Sequence, residues 1–280
     1  TTEIYTLSLH DALPISLVIN GAECEPYLTC DHRLMLDFAD DIVSGAKIIQ
    51  KILGAKEVHI GIEDNKKDAF EKLLSASKGQ ENIHVHLLKV KYPQGGEKQL
   101  IKSILNRDVP AGGLPMDVNV VVHNVMTTYY VNRAVYFNEP MTERYLTITG
   151  EGVKNPKNLL VRLGTPISKI LENVELKENC KKIVLGGPMM GIAQFSTEIP
   201  VTKGTSGILV LQDIFEEDYE HCIRCGSCVD HCPMKLVPSE LSITLEKQRI
   251  DLAQQYNLMD CMECGVCSYV CPAKIGRAHV

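Results

Sequence analysis

No stretch of this 280-residue chain reaches the eighteen or so consecutive apolar residues that a membrane-spanning helix requires. Positive charge is not in surplus either. Twenty-nine Lys and Arg stand against 35 Asp and Glu, a net charge of −6, so the composition offers nothing to the phosphates of a nucleic acid. No secretory signal opens the chain, and no G-x-G-x-x-G marks a dinucleotide fingerprint. Cysteine, by contrast, is plentiful. Eight of the eleven lie in two short runs, leaving Cys24, Cys30 and Cys180 outside them. A disulfide framework suits a short secreted domain, not a chain of this length with its thiols gathered in one tail. A reducing compartment and a metal cargo fit better. With 45% hydrophobic residues, 280 positions suffice for two or three compact units.

The two runs are "CIRCGSCVDHCP", from Cys222 to Pro233, and "CMECGVCSYVCP", from Cys261 to Pro272. Both read C-x2-C-x2-C-x3-C-P. Three cysteines in steps of three reach three corners of a cubane on one tight loop, and the fourth points away to complete a neighbouring cluster. The expected sets are therefore Cys222, Cys225, Cys228 and Cys271 for one [4Fe–4S] cluster, and Cys261, Cys264, Cys267 and Cys232 for the other. Structural zinc uses two separated C-x2-C pairs and has no need of a third cysteine at the same interval. Gly226 and Gly265 can supply positive φ, and Pro233 and Pro272 stop the local helix. Between the runs, Ser239 is expected as a helix N-cap, followed by a helix carrying Leu241, Ile243, Leu245, Ile250 and Leu252, and by a short helix leading into Cys261.

Upstream, strand and helix patterns alternate from Leu17 to about Phe137. "LVIN", "EVHIGI", "IHVHLLKV" and "VNVVVHN" read as strands. Residues 31–54 read as one amphipathic helix ended by Gly54, and "KKDAFEKLLSASK", "GEKQLIKSILN" and "TTYYVNRAVYF" as further helices. This alternation implies a parallel sheet with helices on both faces, whose ligand site lies beyond the carboxyl ends of the strands. Asn20, Glu23, Glu25 and Pro26 follow the first strand, Tyr92, Gly95, Gly96, Glu97 and Lys98 the third, and His123, Asn124 and Thr127 the fourth. Gly95-Gly96 opening a helix offers backbone N–H groups to an anion, or is a plain turn. From about Thr142 the rhythm changes to short strands around the helix "PISKILENV", a small α+β unit of β-grasp type, in which "GGPMMG" (Gly186 to Gly191) is a ligand-touching loop or a simple turn. Cys24 and Cys30 read as a loop thiol and a helix-start packing residue. His84 and His86 share a strand face without cysteine or carboxylate company, so no metal is assigned to them.

Taken in order, "INGAECEPYLTCDHRLM", "YPQGGEKQL", "HNVMTT", "GGPMMG" and the two cysteine runs resemble the C subunit of the Rnf ion-translocating electron-transport complex, a family that shares its flavin domain with the NADH-oxidising flavoprotein subunit of respiratory complex I. The resemblance runs from Leu17 to Ile275. It implies FMN held by Asn20, Glu23, Tyr92, Gly96, Asn124 and Thr127, with Gly95 in the same loop, and NADH stacking near Gly96 and Glu97. It also implies a peripheral subunit on the cytoplasmic face of the bacterial cell membrane, with the other Rnf subunits and ferredoxin as partners. Electrons would pass between NADH and ferredoxin by way of FMN and two clusters, coupled to ion translocation. A soluble flavin and iron–sulfur reductase of the same architecture, such as a cobalamin reductase, and a non-catalytic electron wire are the alternatives.

The expected domains are a flavin domain at 17–141, a β-grasp soluble-ligand-binding domain at 142–212 and a helical ferredoxin domain at 213–275. Residues 1–16 and 276–280 read as non-native tails. The family's Gly-rich "GGAGFPT"-like loop would lie upstream of Leu17, so this piece alone is expected to be inactive.

Overall fold

The computed structural model of the protein describes residues 16–212 and 220–274. The tails expected at 1–16 and 276–280 fall almost wholly outside them.

The first unit alternates strand and helix as the sequence pattern requires. Its strands are β1 (Ser16–Gly21), β2 (Glu57–Glu63), β3 (Ile83–Leu88) and β4 (Val120–Asn124). All neighbours are parallel and the order is β3-β2-β1-β4. The inner strand β1 is apolar at Leu17, Val18 and Ile19 because both of its faces are covered. On one face Leu17, Ile19, Ile60 and Ile62 pack against α1 (Cys30–Asp37), α2 (Ala39–Leu53), α3 (Lys67–Ala76) and α5 (Val125–Phe137). On the other, Val18, Leu88 and Val120 meet Leu100 and Ile101 of α4 (Glu97–Leu105).

The single helix expected over residues 31–54 is two. Phe38, at φ −132°, interrupts it and turns α2 away from α1. The apolar period runs unbroken through Leu34, Phe38 and Ile42, so the break leaves no mark in the sequence. Phe38 instead packs its ring against Tyr129 and Tyr145, with centroids 4.9 and 6.0 Å away. Gly54 ends α2 in the left-handed conformation, as its position predicts. Helices α2 and α5 cross so closely at Gly45 that a Cβ there would lie 2.0 Å from the Thr128 carbonyl oxygen.

The second unit is a five-stranded sheet of order β6-β5-β9-β7-β8, built from β5 (Glu143–Thr149), β6 (Lys157–Arg162), β7 (Lys182–Leu185), β8 (Ile192–Gln194) and β9 (Gly207–Leu211). First and last strands pair in parallel at the centre while the others run antiparallel, the β-grasp arrangement. Helix α6 (Ile167–Glu172) closes its core through Ile167 and Ile170, against Leu146, Ile148 and Ile208.

The tail, from 220 to 274, holds only short helices: α7 (Ser227–Asp230), α8 (Pro238–Glu246), α9 (Ile250–Gln255) and α10 (Val266–Tyr269). Ser239 is not the N-cap expected for α8. Val237 takes that place and Pro238 occupies the first turn, where its missing N–H and fixed φ are harmless. Ile250 is 59% exposed, so the apolar face stops short of it. The apolar core here is small, Leu236, Leu241 and Ala253, and the partly buried side chains packed on it include Cys232 and Cys261. Among the described residues no helix is long and apolar enough to cross a membrane.

Candidate functional site

The two cysteine runs fold as copies of one another. Arg224 and Glu263 both sit at φ 55°, Gly226 and Gly265 at 81° and 76°, and Lys235 and Lys274 at 56° and 52°. Each glycine starts a four-residue helix, α7 or α10, that ends before the fourth cysteine. The left-handed residues turn backbone N–H groups toward sulfur. Arg224 N donates to Cys222 Sγ at 3.4 Å, and Leu236 N to Cys232 Sγ at 3.4 Å.

The fourth cysteine of each run lies with the trio of the other. Cys232 lines one cavity with Cys261, Cys264 and Cys267, beside Met234, Leu236 and Leu258. Cys271 lines a second with Cys222, Cys225 and Cys228. None of the eight is in a disulfide. Among the described residues, no three of these thiols come within 4.8 Å of one another. Four sulfurs around a single zinc at 2.3 Å would sit about 3.8 Å apart. The donor set therefore fits a larger polynuclear core better than one ion. Burial, then the neighbouring cysteines, pushes the Cys267 thiol up to about 11 and raises Cys264, so in this crowd the thiolates need cations to hold them.

The expected flavin residues converge at the carboxyl ends of β1, β3 and β4. Asn20 donates to the Gly95 carbonyl at 2.8 Å and accepts from Ala22 N. Glu23, in the left-handed region at φ 45°, lies over the start of α1 and accepts from Asp31 N (2.7 Å) and His32 N (2.9 Å). Desolvation, then the charge of Asp31, pushes its carboxyl up to about 7, against those amides and Lys66. Asn124 caps α5 through Met126 N and donates to Asp31 Oδ2 at 2.7 Å. Tyr92 donates to the Cys264 carbonyl at 2.9 Å. Glu97 opens α4, largely exposed, its carboxyl raised by partial desolvation. Thr127 is exposed on the first turn of α5, three residues after the N-cap Asn124. His123 is half-buried on β4, and burial lowers its pKa.

Of the two readings of Gly95-Gly96, an amide cradle or a plain turn, the bonding is that of a turn. Gly95 N donates to Cys24 Sγ at 3.2 Å, and Gly96 N to the Pro93 carbonyl at 3.0 Å. Cys30, buried at the start of α1, donates to the Ser206 carbonyl, so Cys24 and Cys30 are the separate thiols the sequence suggested.

Several residues here have roles that their positions in the sequence do not announce. Lys66, buried, donates to the Ala22 carbonyl (2.8 Å), to the Glu23 carbonyl (3.2 Å) and to Glu63 Oε2 (3.4 Å), bracing the first loop. Glu25 accepts from Met189 N (2.7 Å) and Met190 N (3.2 Å), so the Gly-rich loop of the β-grasp unit is held by the flavin-domain loop. Asp31 is buried, burial raises its pKa, and its Oδ1 has no hydrogen-bond partner. A buried carboxyl oxygen beside Glu23, Cys30 and Asn124 fits a ligand rich in hydroxyl and N–H groups, as a ribityl flavin is.

Three loops meet at the second cysteine run. Tyr92 touches Cys264, a Cβ on Gly96 would lie 2.8 Å from Met262 Cε, and one on Gly265 would lie 3.0 Å from the Met189 carbonyl oxygen. Gly112 N also donates to Asp260 Oδ1 at 3.2 Å.

Residues 7–133 match the family described as the Nuo51 FMN-binding domain, 145–193 the SLBB domain and 214–272 the 4Fe-4S dicluster domain. Over 247 residues, 87% of this chain, the sequence is 48% identical to the C subunit of the proton-translocating ferredoxin:NAD(+) oxidoreductase complex of Clostridium ljungdahlii. It is 45% identical over 247 residues to the C subunit of the Na(+)-translocating complex of Acetobacterium woodii. The chain is a homologue of these C subunits. It spans about half the length of the curated relatives, 54% and 56% of those two. In fold it also resembles a chain of an NAD+-reducing [NiFe]-hydrogenase in the air-oxidised state, with a TM-score of 0.61 at 16% identity, covering 86% of this C-subunit homologue and 47% of that chain. The C-subunit homologue thus combines a flavin domain, an SLBB domain and a dicluster domain in that order.

Proposed function

We propose that the chain is the electron-carrying part of an ion-translocating ferredoxin:NAD oxidoreductase subunit, with residues 17–141 holding flavin and nicotinamide, 142–212 bridging, and 213–275 holding two clusters. One observation carries this reading. The Tyr92 hydroxyl on the flavin-domain loop donates to the backbone of Cys264, so the cavity of Cys232, Cys261, Cys264 and Cys267 lies against the flavin loops. The cavity of Cys222, Cys225, Cys228 and Cys271 opens to the surface through Cys225, which is exposed, and Ile223, which is 64% exposed. The inner set is the port facing the flavin, and the outer set the port facing a partner subunit.

Asn20, Glu23, Gly95, Gly96, Asn124 and Asp31 would surround FMN, with Tyr92 at its cluster side and Glu97 at the nicotinamide side. Bound FMN supplies the conversion between a two-electron hydride and single electrons, which clusters alone accept. The protein's own part is positional. Lys66 and Asn124 fix the loop and carboxyl around the ligand, Glu25 ties the first loop to the Gly-rich loop of the β-grasp unit, Tyr92 ties the loop after β3 to the cluster run, and Glu23, titrating near neutrality, can hold or release a proton there. By the same reading the partners are the complex's other subunits and ferredoxin, at the cytoplasmic membrane face.

The experiment is anaerobic NADH titration of a full-length protein containing this sequence, reconstituted with iron, sulfide and FMN. Bleaching of flavin absorbance followed by cluster absorbance supports the reading. Clusters that stay oxidised while the flavin bleaches would refute it.

A further inference from the structure

At the far end of the sheet from the flavin loops, the pairing of β2 with β3 assembles a group that neither strand shows alone. His59 lies directly opposite His84, and His86 is two residues further along the same face of edge strand β3. Side chains alternate along a strand, so Glu57, two residues before His59, shares that face. His59 Nδ1 and His86 Nε2 are 3.0 Å apart. The His84 ring stacks on His59, with centroids 5.2 Å apart, and His59–His86 centroids are also 5.2 Å apart. On the other side of the His59 ring, Nε2 lies 3.4 Å from Glu57 Oε2.

We propose that His59, His86 and His84 form a binding site for one imidazole-preferring divalent metal ion, zinc or nickel, with Glu57 orienting His59 from behind. Two imidazole nitrogens bound to one tetrahedral zinc at 2.0–2.1 Å sit about 3.3 Å apart, close to the spacing already present. His59 Nε2 makes no hydrogen bond as the side chains stand, but the carboxylate 3.4 Å away favours the tautomer with its proton on that nitrogen. Nδ1 then presents its lone pair to His86, the carboxylate–histidine–metal arrangement. The ion takes the place of the proton shared between the two rings, His86 carrying its N–H on Nδ1 instead, so no net proton is released. Burial keeps the His59 and His86 rings neutral at pH 7, the form a metal accepts. His84 is exposed and stacks beside the pair, and the ligand atoms of the three rings do not all lie within 4.8 Å of one another, so His84 has to rotate its exposed side chain to reach the ion. The ion would staple the edge strand β3 to its inner neighbour. No cysteine belongs to this group, so the donor set here is purely imidazole and carboxylate, which suits zinc or nickel and not an iron–sulfur core.

The test uses the chain with its iron and sulfide already assembled, dialysed anaerobically against micromolar Zn2+, with zinc and iron counted per chain. Wild type is expected to retain one more zinc than His86→Gln at equal iron content, and to gain thermal stability on zinc addition where the variant gains none. Glu57→Gln is expected to bind about 10-fold more weakly. Should His86→Gln fold poorly, His84→Ala, which alters an exposed side chain, is expected to show the same loss of affinity. Equal zinc in wild type and both histidine variants, or no zinc in wild type beyond that displacing iron, would overturn the site.

Discussion

Replacing Glu23 by Gln separates what its carboxyl does as an acceptor from what its charge does. Burial raises this acid from 4.5 to about 7. The folded state therefore holds a proton that the unfolded state has released between those two pH values, and stability falls as pH rises through that window. At 1.36 kcal/mol per unit, the loss from this group is about 3 kcal/mol. Glutamine is neutral at every pH and escapes it. It does, however, give up one of the two accepted amides, Asp31 N or His32 N, since an amide has a single oxygen. That costs about 1 kcal/mol. The variant should thus be less stable than wild type by about 1 kcal/mol below pH 4.5 and more stable by about 2 kcal/mol at pH 8. Urea unfolding followed by circular dichroism at both pH values reads the difference directly. A variant that is weaker at both, or a gap that does not change with pH, would refute the reasoning.

Other perturbations have definite outcomes. Gly45→Ala places a Cβ against the Thr128 carbonyl and forces α2 from α5, so the thermal midpoint should fall, with a loss of about 1–3 kcal/mol that outweighs the gain in helix propensity. Tyr92→Phe removes one hydrogen bond to the Cys264 backbone, worth about 1 kcal/mol. It should leave flavin reduction by NADH intact while slowing the subsequent reduction of the clusters in stopped-flow traces, and unchanged cluster kinetics would remove Tyr92 from the contact. Anaerobic removal of iron by a chelator should unfold residues 220–274, whose own apolar core is three residues, while leaving the parallel sheet folded. Limited proteolysis confined to the tail is the expected pattern.

Periodicity was enough to lay out the parallel sheet, because buried parallel strands are continuously apolar and the helices between them are amphipathic. The exchange of fourth cysteines was legible for a different reason: spacing fixes how far a short loop can reach. What escaped was whatever depends on a partner far along the chain. The break at Phe38 is set by stacking on Tyr129 and Tyr145, not by a breaker residue. Which of the two readings of Gly95-Gly96 holds was open in the sequence, because Cys24, which takes the Gly95 amide, comes from another loop. Asp31, Lys66 and Glu25 acquire their roles only through contacts with other loops, and a carboxylate at a helix start or a lysine after a strand carries no local sign of that. His84 and His86 looked unaccompanied because their company, His59 and Glu57, sits on the adjacent strand.

The central claim is that each cluster is held by three thiolates of one run and one of the other, and iron counting on two quadruple variants tests it most directly. Cys222→Ser, Cys225→Ser, Cys228→Ser and Cys271→Ser together should leave about four iron and four sulfide per chain, because Cys232, Cys261, Cys264 and Cys267 remain a complete set. Exchanging Cys271→Ser for Cys232→Ser in that variant should leave neither set complete and abolish stable cluster binding. The opposite result, with four iron retained only when Cys232 is the one removed, would contradict the account.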